Sequence, residues 1–109
     1  MVIELPKPIA GYFEADAGLS AEAIAACFTP AAVVKDEGHT YTGRDAIRRW
    51  KNDSSAKYSY TSEPFSIAEE AGRIVVASHL AGDFPGSPVD LRFFFVLDGE
   101  KISKLEVIP

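Results

Sequence analysis

Hydrophobic and polar positions change period along this chain, from helical spacing in its first half to strand-like alternation in its second. Between Pro8 and Gly18, Ile9, Tyr12 and Phe13 recur at i, i+3 and i+4, and Asp16 follows at i+7. That is the spacing of one helical face, so Tyr12 and Asp16 are expected to share it. Gly18 supplies a stop, and Ser20 stands where an N-cap would open a second helix with Ile24, Cys27 and Phe28 on its inner stripe. Pro30 is expected to close that helix. Ala32 to Lys35 then reads as a short strand, Asp36-Glu37-Gly38 as a turn, and Thr40 to Thr42 as the second strand of a small hairpin. Thr42 and Asp45 are spaced like a capping box, which introduces a third helix carrying Ala46, Ile47 and Trp50 on one face as far as about Asp53.

The second half has β-rich composition throughout. Its runs are Tyr58 to Ile67 with Pro64 inside, Arg73 to Leu80, Val89 to Leu97, and Ile102 to Ile108 after an Asp98-Gly99 turn. Pro64 has no N–H for a ladder, so it implies an edge, a bulge or a break. Gly82 to Pro88 concentrates glycine, serine and proline and reads as a hairpin loop. Helices followed by consecutive antiparallel-type strands predict an α+β domain with helices on one face of a sheet. In the Val89 to Leu97 run, Leu91, Phe93, Phe95 and Leu97 form an apolar face that belongs against the helices. The other face carries Asp90, Arg92, Phe94 and Val96. It is too apolar for open solvent, which predicts a covering sheet from a second copy and hence a homodimer.

Composition narrows the class. A chain of 109 residues with 47% hydrophobic content has the size and apolar content of one domain spanning 1–109, with a core that needs no disulfide. There are 11 basic and 16 acidic residues, a formal charge of −5, and the basic ones are dispersed, so no nucleic-acid partner is expected. Cys27 is the single cysteine, expected in the core, and a Cys-rich metal site is excluded by ligand count. The two histidines, His39 and His79, lack ligand-like spacing, so no metal is expected. The first residues, Met1 to Pro8, hold no apolar run of signal-peptide or membrane length, which predicts a cytoplasmic protein with no membrane partner. Gly-x-Gly-x-x-Gly, Walker and Gly-x-Ser-x-Gly patterns are all absent, so nucleotide-dependent redox, phosphoryl transfer and triad hydrolysis lack their usual hardware.

The segment Phe28-Thr29-Pro30-Ala31-Ala32-Val33-Val34-Lys35-Asp36-Glu37-Gly38, followed by Tyr41-Thr42-Gly43-Arg44-Asp45-Ala46-Ile47-Arg48-Arg49-Trp50, resembles SnoaL-like proteins of the nuclear transport factor 2-like superfamily. The resemblance implies helices packed on a strongly curved, mixed, mainly antiparallel sheet, a cone-shaped α+β barrel of cystatin-like type around an apolar pocket. It also implies a small apolar molecule as ligand and no cofactor. Within the superfamily, ketosteroid isomerase has its catalytic aspartate on the strand before the hairpin and its oxyanion tyrosine on the first helix. Asp36 and Tyr12 match those positions, and Trp50 matches a pocket aromatic. The family's second oxyanion donor, a protonated acid, falls at Phe93, which departs from the pattern.

Two readings attach to each polar candidate. Asp36 is either a solvated turn residue or a base that removes a proton α to a carbonyl. Tyr12 is either a core phenol or a donor to a developing oxyanion. Asp16, one turn from Tyr12, is either exposed or a group that orients Tyr12 or ligand. His79 lies in register with Val75 and Ala77 and enters the cavity if that face points inward. Asp90 and Arg92 resemble, in reversed order, the acid and arginine of limonene epoxide hydrolase, and read as an ion pair at an interface. Trp50 and Phe93 are pocket wall or core. The candidate site is therefore Asp36 and Tyr12 for chemistry, with Asp16, Trp50, His79 and Phe93 for substrate. The corresponding function is a cofactor-independent isomerase, cyclase or related lyase acting on a small apolar carbonyl compound, or else a ligand-binding or dimerisation module without chemistry.

Overall fold

The structure, a computed structural model, describes residues 4–18, 20–57 and 59–109, with side chains for all of these except 54–57. Helix α1 covers Lys7–Ala17, with Pro8 in the first turn, where a missing N–H costs nothing. Helix α2 covers Ala21–Ala26, and Ser20 caps it by accepting a hydrogen bond from the Ala23 N–H at 3.1 Å. It ends earlier than its sequence pattern predicts. Phe28 and Pro30 lie in strand β1, Phe28–Asp36, and not on a helical stripe. Pro30 is accommodated because the β1–β6 register shifts between Phe28 and Val33, so the ladder asks for no N–H there. Cys27 follows α2 half-buried, and its thiol donates to the Ala23 carbonyl at 3.3 Å.

Strand β2, His39–Thr42, pairs with β1 to give the expected hairpin. Helix α3 covers Arg44–Lys57. The capping box is not formed: Thr42 closes β2, Gly43 at φ +89° leads into the helix, and Asp45 pairs with Arg48 at 2.6 Å instead. The sheet is completed by β3 (Tyr60–Glu70), β4 (Arg73–Gly82), β5 (Val89–Asp98) and β6 (Lys101–Ile108). Tyr58, the expected start of the first run of the second half, lies outside the described residues. Pro64 sits at a register shift between Pro64 and Ser66, the bulge that its missing N–H requires.

The six strands run in the order β2-β1-β6-β5-β4-β3. The β1–β6 pair is parallel and the others are antiparallel, so the sheet is mixed and mainly antiparallel, with β2 and β3 as free edges that leave it unclosed. The helices lie on one face and bury it. Ile9, Tyr12, Ile24, Phe28, Val34, Ile47, Val76, Phe95, Ile102 and Leu105 are all within 1% of full burial. Among the described residues no helix is long and apolar enough to cross a membrane.

The face of β5 opposite the helices differs from its sequence expectation in one respect. Phe94 is already covered within the chain: the Arg73 and Arg92 guanidinium carbons lie 4.4 and 5.6 Å from its ring centroid, and Arg73 reaches Glu106 at 3.2 Å. Its burial therefore needs no second copy. Arg92 does not pair with Asp90, because its guanidinium is drawn over Phe94 while Asp90 takes the cross-strand hydrogen bond of His79 at 2.7 Å.

Candidate active-site cleft

The concave side of the sheet and the helices leave a cleft of about 640 Å³. Its deepest surfaces come from α1 and α3. Tyr12 is fully buried and Asp16 is 6% exposed, one turn apart on the inner face of α1 as the sequence spacing requires. Ile47, Trp50 and Lys51 stand at i, i+3 and i+4 on α3, so Lys51 joins the buried stripe at 5% exposure. Leu80, Val89, Leu91, Phe93 and Val107 make the apolar wall. Glu37, His39 and Asp53 stand on the exposed rim, and Phe84, Pro85 and Gly86 come from the β4–β5 loop.

Two polar arrangements lie within this cleft. At the end of β1, Asp36 is half-buried, and its Oδ2 accepts a hydrogen bond from Trp50 Nε1 at 3.0 Å. The indole lies beside the Tyr41 ring, with centroids 6.0 Å apart. Asp36 is thus held by α3 and leaves Oδ1 without a partner from the described residues. Deeper in, Asp16 Oδ1 accepts from Lys51 Nζ at 3.0 Å and from the Tyr60 hydroxyl at 2.8 Å. The Lys51 ammonium also lies 4.3 Å from the Trp50 ring and 5.2 Å from the Tyr12 ring. Burial of two opposite charges is tolerable only because each has the other, plus a hydroxyl and aromatic faces.

Tyr12 connects the arrangements. Its ring packs edge-on against Phe13, Phe28 and Phe95 with centroids 5.2, 6.1 and 5.7 Å away, and the core thereby fixes its direction. Its hydroxyl is buried and has no hydrogen-bond partner among the described residues. Burial, and after it the negative charge of Asp16, push the phenol well above its ordinary range, with Asp36 adding to the effect. Tyr60 is pushed upward too, by burial and by its bond to Asp16. Both phenols are therefore protonated donors at neutral pH.

The sequence candidates are placed as follows. Tyr12, Asp16, Asp36, Trp50 and Phe93 all line the one cleft. Phe93 is 5% exposed, with its ring 5.2 Å from Phe13, and it contributes apolar surface and no proton. His79 stands elsewhere. Val75, Ala77 and His79 pair with Phe94, Arg92 and Asp90 on the outer face, while Val76, Ser78 and Leu80 point inward. The imidazole is half exposed and faces away from the cleft, so the condition for its entry is not met. Lys51 and Tyr60 were not among the candidates. Lys51 had a signal, its place four residues after Ile47 on the apolar stripe, whereas the reach of Tyr60 to Asp16 is a long-range contact that no local pattern carries. Among the described residues no three His, Cys, Asp or Glu side chains converge as metal ligands.

Comparison with known proteins places this architecture. The SnoaL-like domain family matches residues 9–104. A candidate polyketide cyclase from Sinorhizobium meliloti is 36% identical and superimposes with a TM-score of 0.90, covering 95% of each chain. A hypothetical protein from Catenulispora acidiphila with a ketosteroid isomerase-like fold, solved in complex with trimethylamine, is 18% identical with a TM-score of 0.86, covering 97% of this chain and 87% of its own. The epoxide hydrolase/cyclase-like enzyme SalBIII, which has a role in pyran ring formation in the polyether salinomycin, is 22% identical with a TM-score of 0.79, covering 93% of this chain and 86% of its own. At those identities the last two bear on the fold alone. Curated proteins give no match. With a family match across nearly its whole length and a nuclear transport factor 2-like, cone-shaped α+β architecture beneath it, this chain belongs to the SnoaL-like domain family.

Proposed function

We propose that this protein isomerises or cyclises a small apolar carbonyl compound without a cofactor, with Asp36 as the base and Tyr12 as the donor to the oxyanion. The observation that carries the reading is the buried Tyr12 hydroxyl, which has no hydrogen-bond partner among the described residues and belongs to a residue that lines the same cleft as Asp36. An unpartnered buried donor is costly, and a ligand oxygen that accepts from it recovers that cost at the point where negative charge develops. Asp36 presents a carboxylate whose orientation is fixed through Trp50. It removes the proton α to the carbonyl, and the electron pair moves onto the carbonyl oxygen. Returning the proton to the γ-carbon of the dienolate of a β,γ-unsaturated ketone gives an isomer. In the cyclase form the enolate carbon attacks a second carbonyl, whose π pair becomes an alkoxide that takes the proton back from Asp36 as the ring closes. The 36% identical relative described as a candidate polyketide cyclase supports the cyclase form.

A direct test is proton exchange at the α-carbon of a panel of apolar ketones in D₂O, followed by NMR. The wild type accelerates exchange for at least one member, and Asp36→Asn removes the acceleration while leaving the circular dichroism spectrum unchanged. A wild type that exchanges no α-proton, or an Asp36→Asn variant as active as the wild type, rejects the proposal.

One observation favours a second reading, a ligand-binding or dimerisation module without chemistry: Phe93 supplies no proton where a second oxyanion donor would stand. That reading predicts saturable ketone binding with no exchange. Assembly as a homodimer belongs to either reading and is checked by light scattering on the purified chain.

A further inference from the structure

The place of the second donor at the cleft is not left empty by Phe93 alone. Lys51 is a cation at 5% exposure that lines the cleft, and among the described residues Asp16 Oδ1 is the one hydrogen-bond acceptor it reaches, at 3.0 Å. An ammonium has three N–H donors in total. Aromatic faces of Trp50 and Tyr12 flank it, at 4.3 and 5.2 Å, but rings accept far less well than oxygen. Lys51 therefore retains donor capacity on a surface that a ligand can touch.

The charges of the lining point the same way. Among the described lining residues Asp16, Asp36, Glu37 and Asp53 are carboxylates, and Lys51 is the one lysine, with no arginine. A ligand oxygen that gains negative charge is repelled along the Asp36, Glu37 and Asp53 side. Its favourable place is deeper, where Lys51 offsets the Asp16 carboxylate and the Tyr12 phenol proton is not taken by another described residue, whereas the Tyr60 proton is given to Asp16. Asp16 and Tyr60 fix the ammonium without consuming all of its donors, and the bond of Tyr60 to Asp16 withdraws part of that carboxylate's accepting capacity.

We propose that Lys51 is a second oxyanion-holding residue of the cleft, positioned by Asp16 and Tyr60, and that the cleft takes ligands whose enolate or phenolate oxygen points inward to Lys51 while their C–H acid faces Asp36. This deepens the reading of the cleft as a carbonyl-compound site and rests on it for the role of Asp36. No Schiff base is involved: Lys51 Nζ stands in an ion pair with the Asp16 carboxylate at 3.0 Å, and its proposed role is that of a hydrogen-bond donor and not of a nucleophile.

The test uses 4-nitrophenol, whose phenolate is yellow, titrated on the whole chain by absorbance across pH. Bound to the wild type, the phenol ionises at lower pH than free in solution. Lys51→Met loses about tenfold or more of the preference for phenolate over phenol, the effect of removing an opposite charge at short range. Asp16→Asn shifts the preference the other way, because Lys51 then lacks its competing carboxylate. A purely structural ion pair predicts that both variants weaken binding together. The double variant Asp16→Asn/Lys51→Met removes both charges and serves where a single variant does not fold. It is expected to bind phenol without preferring phenolate.

Equal preferences in wild type and Lys51→Met, parallel losses in Lys51→Met and Asp16→Asn, or no phenolate binding by the wild type overturn the assignment. The two proposals fail separately. Asp36-dependent α-proton exchange that is unchanged in Lys51→Met removes Lys51 and leaves the base in place. Lys51-dependent phenolate binding without exchange of any ketone removes the base and leaves an oxyanion-binding cleft.

Discussion

Trp50 Nε1 donates to Asp36 Oδ2 at 3.0 Å, joining the middle of α3 to the end of β1 by one hydrogen bond inside the cleft. The bond explains how a residue in a turn-like sequence, Asp36-Glu37-Gly38, is oriented at all: Glu37 at φ +51° and Gly38 at φ +78° turn the chain immediately after it, and α3 supplies the donor. Asp36 is thus both the last strand residue before a turn and a fixed group of the cleft.

Trp50→Phe removes the indole N–H and keeps an aromatic ring in the core. Loss of a hydrogen bond to a charged, partly exposed carboxylate together with a smaller ring is expected to cost about 1–2 kcal/mol. Freed from its donor, Asp36 samples more orientations, and α-proton exchange is expected to fall by roughly ten- to a hundredfold. Urea unfolding and NMR exchange on the same preparation check the two numbers, and exchange unchanged from wild type denies that Trp50 positions the base.

Tyr12→Phe separates stability from function. The hydroxyl is buried with no partner among the described residues, so its removal spares the folded state a desolvation cost of roughly 1 kcal/mol while the ring contacts with Phe13, Phe28 and Phe95 persist. The expected result is a higher midpoint in urea together with weaker ketone binding or exchange. A variant that is less stable than wild type points to a bond made by this hydroxyl in the ligand-free protein.

The buried phenols predict an alkaline limit to stability. Tyr12 and Tyr60 are raised above the ordinary tyrosine value of 10.0 by burial and by Asp16, so the folded chain holds protons that the unfolded chain gives up. Their contribution is complete below about pH 10 and diminishes as pH rises from there toward the folded-state values, at up to about 1.4 kcal/mol per pH unit for each group. Tyr60→Phe is expected to flatten the fall between pH 10 and 11 in urea titrations. An identical slope in wild type and variant contradicts the assignment to Tyr60.

The fold was legible because its signals are local and redundant. The Tyr12 and Asp16 spacing on α1, the Ile47 and Trp50 stripe on α3, and the Phe93 and Phe95 alternation on β5 each place a side chain on the buried face that the structure shows. The errors came from residues with two meanings. Pro30 ends helices in general but here occupies an irregular part of β1, and Thr42 with Asp45 imitates a cap that Gly43 pre-empts. His79 shows the limit of period-2 reasoning, which groups it with Val75 and Ala77 without saying which side that group faces. The Asp16, Lys51 and Tyr60 cluster joins positions 35 and 44 residues apart, and such a meeting is set by the packing of α1, α3 and β3 and by no local spacing.

That cluster also depends on a close approach of backbone to backbone. A Cβ on Gly82 would collide with the Ser59 carbonyl oxygen and lie 2.7 Å from Tyr60 Cα, both rigid parts of the chain entering β3. Tyr60 pairs with Gly82 across the ladder, and the Asp83 N–H donates to the same Ser59 carbonyl at 3.1 Å, so neither strand end has room to yield. Gly82→Ala is therefore expected to cost about 1–3 kcal/mol, the range of overpacking in a fixed environment. It is also expected to push Tyr60 away from Asp16, which leaves Lys51 as the sole donor to that carboxylate. Two measurements check this together: a lower urea midpoint, and a Tyr60 ionisation by ultraviolet titration that returns toward 10.0, the ordinary value. A Gly82→Ala protein with wild-type stability and an unmoved Tyr60 titration would show that the strand ends adjust freely and that Gly82 does not hold the floor of the cleft.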